Sequence, residues 1–483
     1  MSKSEKPVAL FVYGAFRRDG GGLGKAWFQR LQVMHDAGWE IHVALLSYRR
    51  YKKKSLSRVL GGTIPSDVII HKYWQSPMNP IEVAATFMVD ATKYALRRVT
   101  GKKRARFTIE PRPNGMVHEW QYDPMGRLIA EVDRDVESNQ VKMRIWYDTG
   151  GNPILREWFG VDEDDLTKVQ RPSDPEPVNM VTARVDWLNS LNLPKGCVVF
   201  SDSPYTYPVV ATLPDHFGKI FVMHLNHLKR GEGPLGILTP RMRNGLDPYA
   251  DRPDAVVCAT PDQAEDLKIR FGENFPVYPI RPVVKKVETP SDVERDRHKI
   301  VAVGRLVDVK RLHHVFEAMP MILEAVPDAH LDIWGSGNDR ERLDEVLDQM
   351  QLHHAVSFRG YTGTPEMVFR TGGCSVLTSR RESYALAVTE SLLQGCPVVS
   401  YDVKYGPRTV IQDGINGFIV PDNDIQALAQ RVIEILTNPE LQDSMGREGL
   451  KVAELVDHAH YQKAWETLTL DVRAKALARA ASY

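Results

Sequence analysis

Cys374-Ser375-Val376-Leu377 leads through Thr378 into Ser379-Arg380-Arg381-Glu382-Ser383-Tyr384-Ala385-Leu386-Ala387-Val388-Thr389-Glu390. The first part is a short apolar run, of a length that suits a buried strand. The second turns on charged and hydroxyl residues, then becomes apolar, which predicts a helix beginning near Tyr384. The first N–H groups of such a helix have no intrahelical partner and are free to meet an anion, while Glu390 falls about two turns further on.

The same unit, a short β-branched run followed by a helical pattern, recurs outward from this stretch in both directions. Downstream lie Pro397-Val398-Val399-Ser400 and Gly417-Phe418-Ile419-Val420; upstream lie Ile300-Val301-Ala302-Val303, Leu331-Asp332-Ile333-Trp334 and Val356-Ser357-Phe358. A further series precedes Pro282: Val8 to Tyr13, Ile41 to Leu46, Cys197 to Phe200, Ile220 to Met223 and Ala255 to Cys258. Continuous apolar strands alternating with helices mean parallel sheets covered on both faces, so two doubly wound α/β domains are expected. The link between them, about Pro276 to His298, carries Pro279, Pro282 and Pro290 and suits an exposed hinge. Ligands of open α/β sheets bind beyond the C-terminal strand ends, so two such domains facing each other would form a cleft.

One segment breaks the alternation. Between Arg106 and Phe159 polar and apolar residues alternate around the turns Pro113-Asn114-Gly115, Asp123-Pro124-Met125-Gly126 and Asp148-Thr149-Gly150-Gly151-Asn152. This predicts an antiparallel β-meander inserted in the N-terminal domain. Its edges and aromatic-rich face need cover, by packing, by a ligand or by another subunit. The expected organisation is residues 1–85 and 185–285 as one domain, 86–184 as the insertion, 286–455 as the second domain, and 456–483 as a terminal helix that packs back on the first.

Composition narrows the possibilities. The 483 residues leave room for two or more cores, and 62 basic residues balance 62 acidic ones. A balanced chain does not hold a polyanion by bulk charge, so any such contact rests on local patches, Arg49 to Lys54 or Arg97 to Arg106. Cys197, Cys258, Cys374 and Cys396 are widely spaced and show no zinc or disulfide pattern, which suggests buried free thiols. Met1-Ser2-Lys3 runs straight into a strand-like segment, and no apolar run approaches the roughly 18 residues of a spanning helix. The expectation is a cytoplasmic protein.

Three places can carry chemistry. Asp19-Gly20-Gly21-Gly22-Leu23-Gly24-Lys25-Ala26 follows the first strand, where small residues let backbone amides approach an anion. It lacks both a P-loop and a dinucleotide fingerprint, and a tight turn explains it equally well. Gly304-Arg305-Leu306-Val307-Asp308-Val309-Lys310 follows a strand of the second domain. Cations are disfavoured at a helix start unless an anion is present, so Arg305 and Lys310 suggest a diphosphate partner. The third place is the opening stretch, where Glu382 and Glu390 can take a sugar hydroxyl and a ribose respectively; the bland alternative is an amphipathic helix with two incidental glutamates. His224-Leu225-Asn226-His227-Leu228 closes the Ile220 strand, and with no third ligand in view zinc is rejected.

Glu382 and Glu390 with seven residues between them, then Gly395-Cys396-Pro397-Val398-Val399-Ser400, with Gly304-Arg305-Leu306 and Lys310 upstream, resemble the signature of glycosyltransferase family 4, retaining enzymes of the GT-B fold. The resemblance implies that Arg305 and Lys310 hold the diphosphate, Glu390 the ribose and Glu382 the donor hexose. Backbone amides of Tyr384, Ala385 and Leu386 would meet the phosphate, with Gly21, Gly22, Ser383, Gly335 and Tyr361 also on the donor. A histidine near the transferred sugar is implied, His227 by spacing with His224 as the alternative. The family's usual Glu-Gly-Phe-Gly-Leu has Ser383 and Ala385 in place of its glycines here.

The meander, His-Leu-Asn-His-Leu, Ser400 to Pro407 and Asp413-Gly414-Ile415-Asn416-Gly417 resemble, more narrowly, the teichoic-acid α-glycosyltransferases. That implies a UDP-sugar donor, a polyol-phosphate (wall teichoic acid) acceptor, peripheral contact with the membrane's inner face and a homotrimer joined through the inserted sheet. No metal or other cofactor is expected, since a departing diphosphate neutralised by Arg305 and Lys310 can itself take the acceptor's proton. Alternatives are a transferase acting on a lipid or another polysaccharide, a GT-B sugar-nucleotide epimerase, and a non-catalytic scaffold.

Overall fold

The computed structural model describes residues 6–14, 21–46, 63–73, 106–112, 115–122, 126–138, 140–148, 150–160, 166–170, 175–229, 233–284, 287 and 293–482. The chain packs as two compact units. One comprises Met1–Val222, Arg241–Ala255 and Glu466–Tyr483, the other Met223–Pro240 and Val256–Trp465.

In the first unit β1 (Val8–Tyr13), β2 (Glu40–Leu45), β3 (Ile69–Lys72), β11 (Val198–Ser201) and β12 (Gly218–Val222) lie in the order β12-β11-β1-β2-β3. Every pairing is parallel. All of β1 is buried, which is why its sequence is a continuous apolar run without alternation. Phe11 stacks on Phe200 at 4.6 Å and meets Trp27 edge-on at 5.5 Å. The C-terminal helix His458–Ala481 places Arg479 in this unit, donating to both carboxylate oxygens of Asp254 at 2.7 and 3.0 Å.

The inserted sheet is antiparallel and larger than its sequence suggests. It contains β4 (Arg106–Arg112), β5 (Met116–Tyr122), β6 (Leu128–Asp135), β7 (Val141–Tyr147), β8 (Pro153–Phe159), β9 (Leu166–Gln170) and β10 (Val178–Asn179), paired in sequence order. The alternation between Arg106 and Phe159 misses β9 and β10, which are short and polar. Pro111 disguises β4, and it is tolerated there because β4 is an edge strand. Ala130, Trp146, Leu155 and Val169 bury one face against Met180 and Ala183 of the helix Met180–Asn189.

In the second unit β13 (Ala255–Cys258) pairs in parallel with β14 (Val277–Pro279). β15 (Asp296–Val303), β16 (His330–Trp334), β17 (Val356–Gly360), β18 (Gly372–Leu377), β19 (Val398–Tyr401) and β20 (Gly417–Val420) form a parallel sheet ordered β17-β16-β15-β18-β19-β20. Along β15, Ile300 and Ala302 enter the cluster of Phe316, Met319 and Val432, while Val301 enters that of Val368, Phe369 and Cys396. Period-2 alternation thus feeds apolar layers on both faces. Truncating a fully buried ring such as Phe316 costs about 3–5 kcal/mol.

The supposed hinge is partly regular structure: Val277–Pro279 is a strand, and 296–298 already belong to β15. Proline is accommodated at Pro279 because it ends its strand. All four cysteines are free and buried. Among the described residues no helix is long and apolar enough to cross a membrane. The patch Arg49 to Lys54 and the side chains of Arg97 to Arg106 lie outside the described residues.

Candidate functional site

From β15 the chain of the second unit proceeds to β16 and β17 on one side, then returns to β18 and proceeds to β19 and β20 on the other. The order reverses between β15 and β18, and loops leaving neighbouring strands in opposite directions open a crevice at their C-terminal ends. The two loops there are the ones singled out from sequence, Gly304 to Leu312 and Thr378 to Ala385.

They are fastened together. Arg380 N–H donates to Val309 O at 2.8 Å, and Thr378 Oγ1 donates to Lys310 O at 2.8 Å. Arg311, buried and in the left-handed region at φ 46°, donates to the carbonyls of Thr378 and Ser379, each at 2.9 Å, and to Asp422 at 2.5 Å. Arg311 therefore satisfies the loop carbonyls, and Lys310 beside it carries the charge toward the crevice. Lys310 Nζ meets Glu382 Oε1 at 2.5 Å, and Ser379 Oγ donates to the same oxygen at 2.6 Å. The two charged side chains retain only 21% and 15% of their exposure, so solvent screens the pair less than a surface ion pair. Arg305 is exposed, and its guanidinium makes no hydrogen bond or ion pair among the described residues, while its carbonyl accepts Val307 N–H at 3.0 Å.

The neighbouring strand ends carry the other donor candidates. Gly335 N–H donates to Gly360 O at 2.7 Å, and Tyr361, 72% exposed, follows immediately. Gly335 sits at φ 149°, and a Cβ there would lie 1.7 Å from Gly304 O, so only glycine lets the β16 end approach the Arg305 loop. The helix bearing Glu390 spans Leu386–Leu392, two residues later than the sequence predicts. Tyr384 turns inward and is buried, and Ala385 takes a left-handed conformation, φ 62° and ψ 60°, before the first helical turn. Glu390 is half-buried.

The two histidines part company. His227 is 0% exposed, stacks on Tyr405 at 5.8 Å with an interplanar angle of 10°, and has neither ring nitrogen hydrogen-bonded among the described residues. Burial, above the opposing attraction of Asp266, pushes its pKa down to about 4. His224 is half-buried at the strand end, and its carbonyl accepts the Ser383 hydroxyl at 2.8 Å. Gly21 and Gly22 open the helix Gly21–Asp36 of the first unit, while Asp19 and Gly20 lie outside the described residues.

Several contributors carry no signal of their contacts in the sequence alone. Asn226 Nδ2 donates to Lys404 O at 3.1 Å and to Glu382 O at 3.4 Å, and its Oδ1 accepts Leu228 N–H at 2.9 Å. Arg381 reaches back to Leu228 O at 3.2 Å and to Lys229 O. Burial, then the neighbouring Arg380, lowers the Arg381 pKa. Asp266 lies in the helix Pro261–Phe271, whose pattern is ordinary amphipathic helix. Among the described residues no cluster of three or more His, Cys, Asp or Glu is arranged to hold a metal ion.

Residues 285–452 match the family described as Glycosyl transferases group 1. The second unit thus contains a group 1 glycosyltransferase domain, and the parallel sheets with their inserted antiparallel sheet have the GT-B fold. Among curated relatives the chain is 31% identical over 214 residues to the poly(glycerol-phosphate) alpha-glucosyltransferase of Bacillus subtilis (strain 168), covering 44% of this chain and 32% of the relative. It is 24% identical over 313 residues to the poly(ribitol-phosphate) alpha-N-acetylglucosaminyltransferase of Staphylococcus aureus (strain COL), covering 64% and 62%. The chain therefore spans less than two thirds of either relative's length. Among solved structures, a mutant of S. aureus TarM with Fondaparinux, alpha-GlcNAc-glycerol and UDP superposes with TM-score 0.75 at 16% identity, over 96% of this chain and 99% of that one. The pneumococcal O-GlcNAc transferase GtfA with UDP and GlcNAc gives 0.69 at 16% identity, over 97% and 99%.

Proposed function

We propose that the chain is a retaining, UDP-sugar-dependent glycosyltransferase of family 4 type that moves glucose or N-acetylglucosamine in α-linkage to a hydroxyl of a polyol-phosphate polymer. The observation that carries this reading is the Lys310–Glu382 pair at the strand-order reversal of a group 1 glycosyltransferase domain, with Arg305, whose guanidinium has no partner among the described residues, on the same loop. Two cations beside a carboxylate suit a diphosphate joined to a hydroxyl-rich sugar. The curated relatives named for poly(glycerol-phosphate) and poly(ribitol-phosphate) support the acceptor.

In this reading the anomeric C–O bond to the diphosphate breaks while Arg305 and Lys310 neutralise the leaving charge. The acceptor oxygen bonds to the anomeric carbon from the same face, and its proton passes to the departing phosphate, so no metal is needed. Glu382 takes the hexose, Glu390 the ribose, and Gly335 and Tyr361 lie on the nucleotide side. Of the two histidines the geometry favours His224 for the sugar, because His227 is sealed beneath Tyr405. The protein acts in the cytoplasm at the membrane's inner face, as a trimer through the inserted sheet.

A screen of UDP-sugars by UDP release, with and without purified polyol-phosphate, tests the proposal. Acceptor-dependent release from UDP-glucose or UDP-N-acetylglucosamine is expected; epimer formation without acceptor overturns it. Lys310→Ala should lower turnover by about 10²-fold or more.

A further inference from the structure

Asp266 is a buried carboxylate outside the set just assigned. It accepts from Lys404 Nζ at 2.7 and 3.0 Å and from Tyr405 OH at 2.8 Å. Those two consecutive residues bracket the backbone of Glu382. Glu382 N–H donates to Lys404 O at 3.1 Å, and Tyr405 N–H donates to Glu382 O at 2.9 Å. Asn226 bridges the same two carbonyls from the His224 to Leu228 turn. Both backbone groups of Glu382 therefore end on a segment whose two side chains end on Asp266.

We infer that Asp266 is a positioning residue for sugar transfer: through Lys404 and Tyr405 it fixes the backbone from which Glu382 projects. The inference rests on the sugar-transfer reading above. The helix Pro261–Phe271 can supply a fixed anchor because it is capped by Thr260, whose hydroxyl accepts Gln263 N–H at 3.2 Å. Gln263 Nε2 in turn donates to Leu225 O at 3.1 Å, tying the same helix to the histidine turn. The carboxylate accepts two donors from one short segment, so its charge and its reach both matter. Lys404 and Tyr405 hold the Glu382 backbone together, each contributing one of the two hydrogen bonds that this segment makes to it. Small displacements of a sugar-contacting group are costly in a reaction that depends on orientation, by up to about 10²-fold for 1 Å.

The test compares Asp266→Asn, Asp266→Glu and Tyr405→Phe with wild type. In Asp266→Asn we expect UDP affinity by calorimetry within about twofold of wild type, while turnover of the preferred UDP-sugar falls about tenfold or more. Amide exchange at Glu382 and Tyr405 should rise about tenfold, and Asp266→Glu should recover part of the turnover. Tyr405→Phe removes a single hydrogen bond and leaves the ring on His227, so it provides the test if Asp266→Asn does not fold; a severalfold loss is expected. Unchanged turnover, unchanged exchange at those two amides, or UDP affinity lost in step with turnover overturns the inference. A wild-type protein that releases UDP from no UDP-sugar sinks the functional reading instead, and the exchange measurement then decides the clamp by itself.

Discussion

Lys310 and His227 show how differently two titratable side chains are used within one unit. Lys310 is held against Glu382 at 2.5 Å on the rim of the crevice, where its charge can act. His227 is buried with neither ring nitrogen partnered among the described residues, an arrangement that disfavours the proton. Its folded pKa of about 4 lies below the ordinary 6.5, so between those values the unfolded chain binds the extra proton. Its contribution to stability is thus fully present above about pH 6.5 and is lost as pH falls through 4. His71 and His314, also lowered to about 4 chiefly by burial, act in the same direction. His227→Phe keeps the stack on Tyr405 and removes the titration, so its urea midpoint should fall less than that of wild type between about pH 7 and pH 4.5. An equal fall would refute this account. Sequence spacing favours His227 as the sugar-facing histidine, and spacing reports position along the chain, not accessibility; Tyr405, 178 positions away, stacks on it.

The helix Leu386–Leu392 starts two residues beyond the boundary that its composition suggests. The expected start near Tyr384 follows from composition, but Tyr384 is drawn into the cluster of Val388, Leu392 and Val410, and Ala385 must take φ 62° to link it to the helix. That is where the resembled family carries glycine. A left-handed non-glycine residue costs about 1–2 kcal/mol, and glycine loses about 0.5–1 kcal/mol in chain entropy. Ala385→Gly should therefore stabilise the protein by about 0.5–1 kcal/mol in chemical denaturation. Destabilisation would mean that the Ala385 methyl makes packing contacts worth more than the strain. Gly406 supports the same local geometry, since a Cβ there would lie 2.2 Å from the Tyr384 carbonyl carbon. The strands were far easier to read than this cap, because β1, β13 and β20 are apolar runs whose ends coincide with their charge and turn punctuation.

At the scale of the molecule, the inserted sheet and the group 1 domain lie in different units, which makes them separable by experiment. Removing residues 106–179 exposes Met180 and Ala183 but leaves the β15 and β18 loops untouched. Light scattering should find wild type near three times the 54.6 kDa chain mass and the deletion variant near its own monomer mass, with UDP binding retained. A trimeric deletion variant would remove the sheet from the proposed assembly. The sequence by itself determined the two doubly wound sheets and the antiparallel insertion, because local periodicity encodes them, and it brought forward Lys310 and Glu382, which the structure pairs, as candidates on neighbouring loops. The tertiary structure alone decided which residues support that constellation. Asp266, Asn226 and Arg311 act through partners far away in the chain, and His227 is buried and stacked on a distant ring. Burial and long-range hydrogen bonding arise only when separated segments fold against one another, so no local pattern records them.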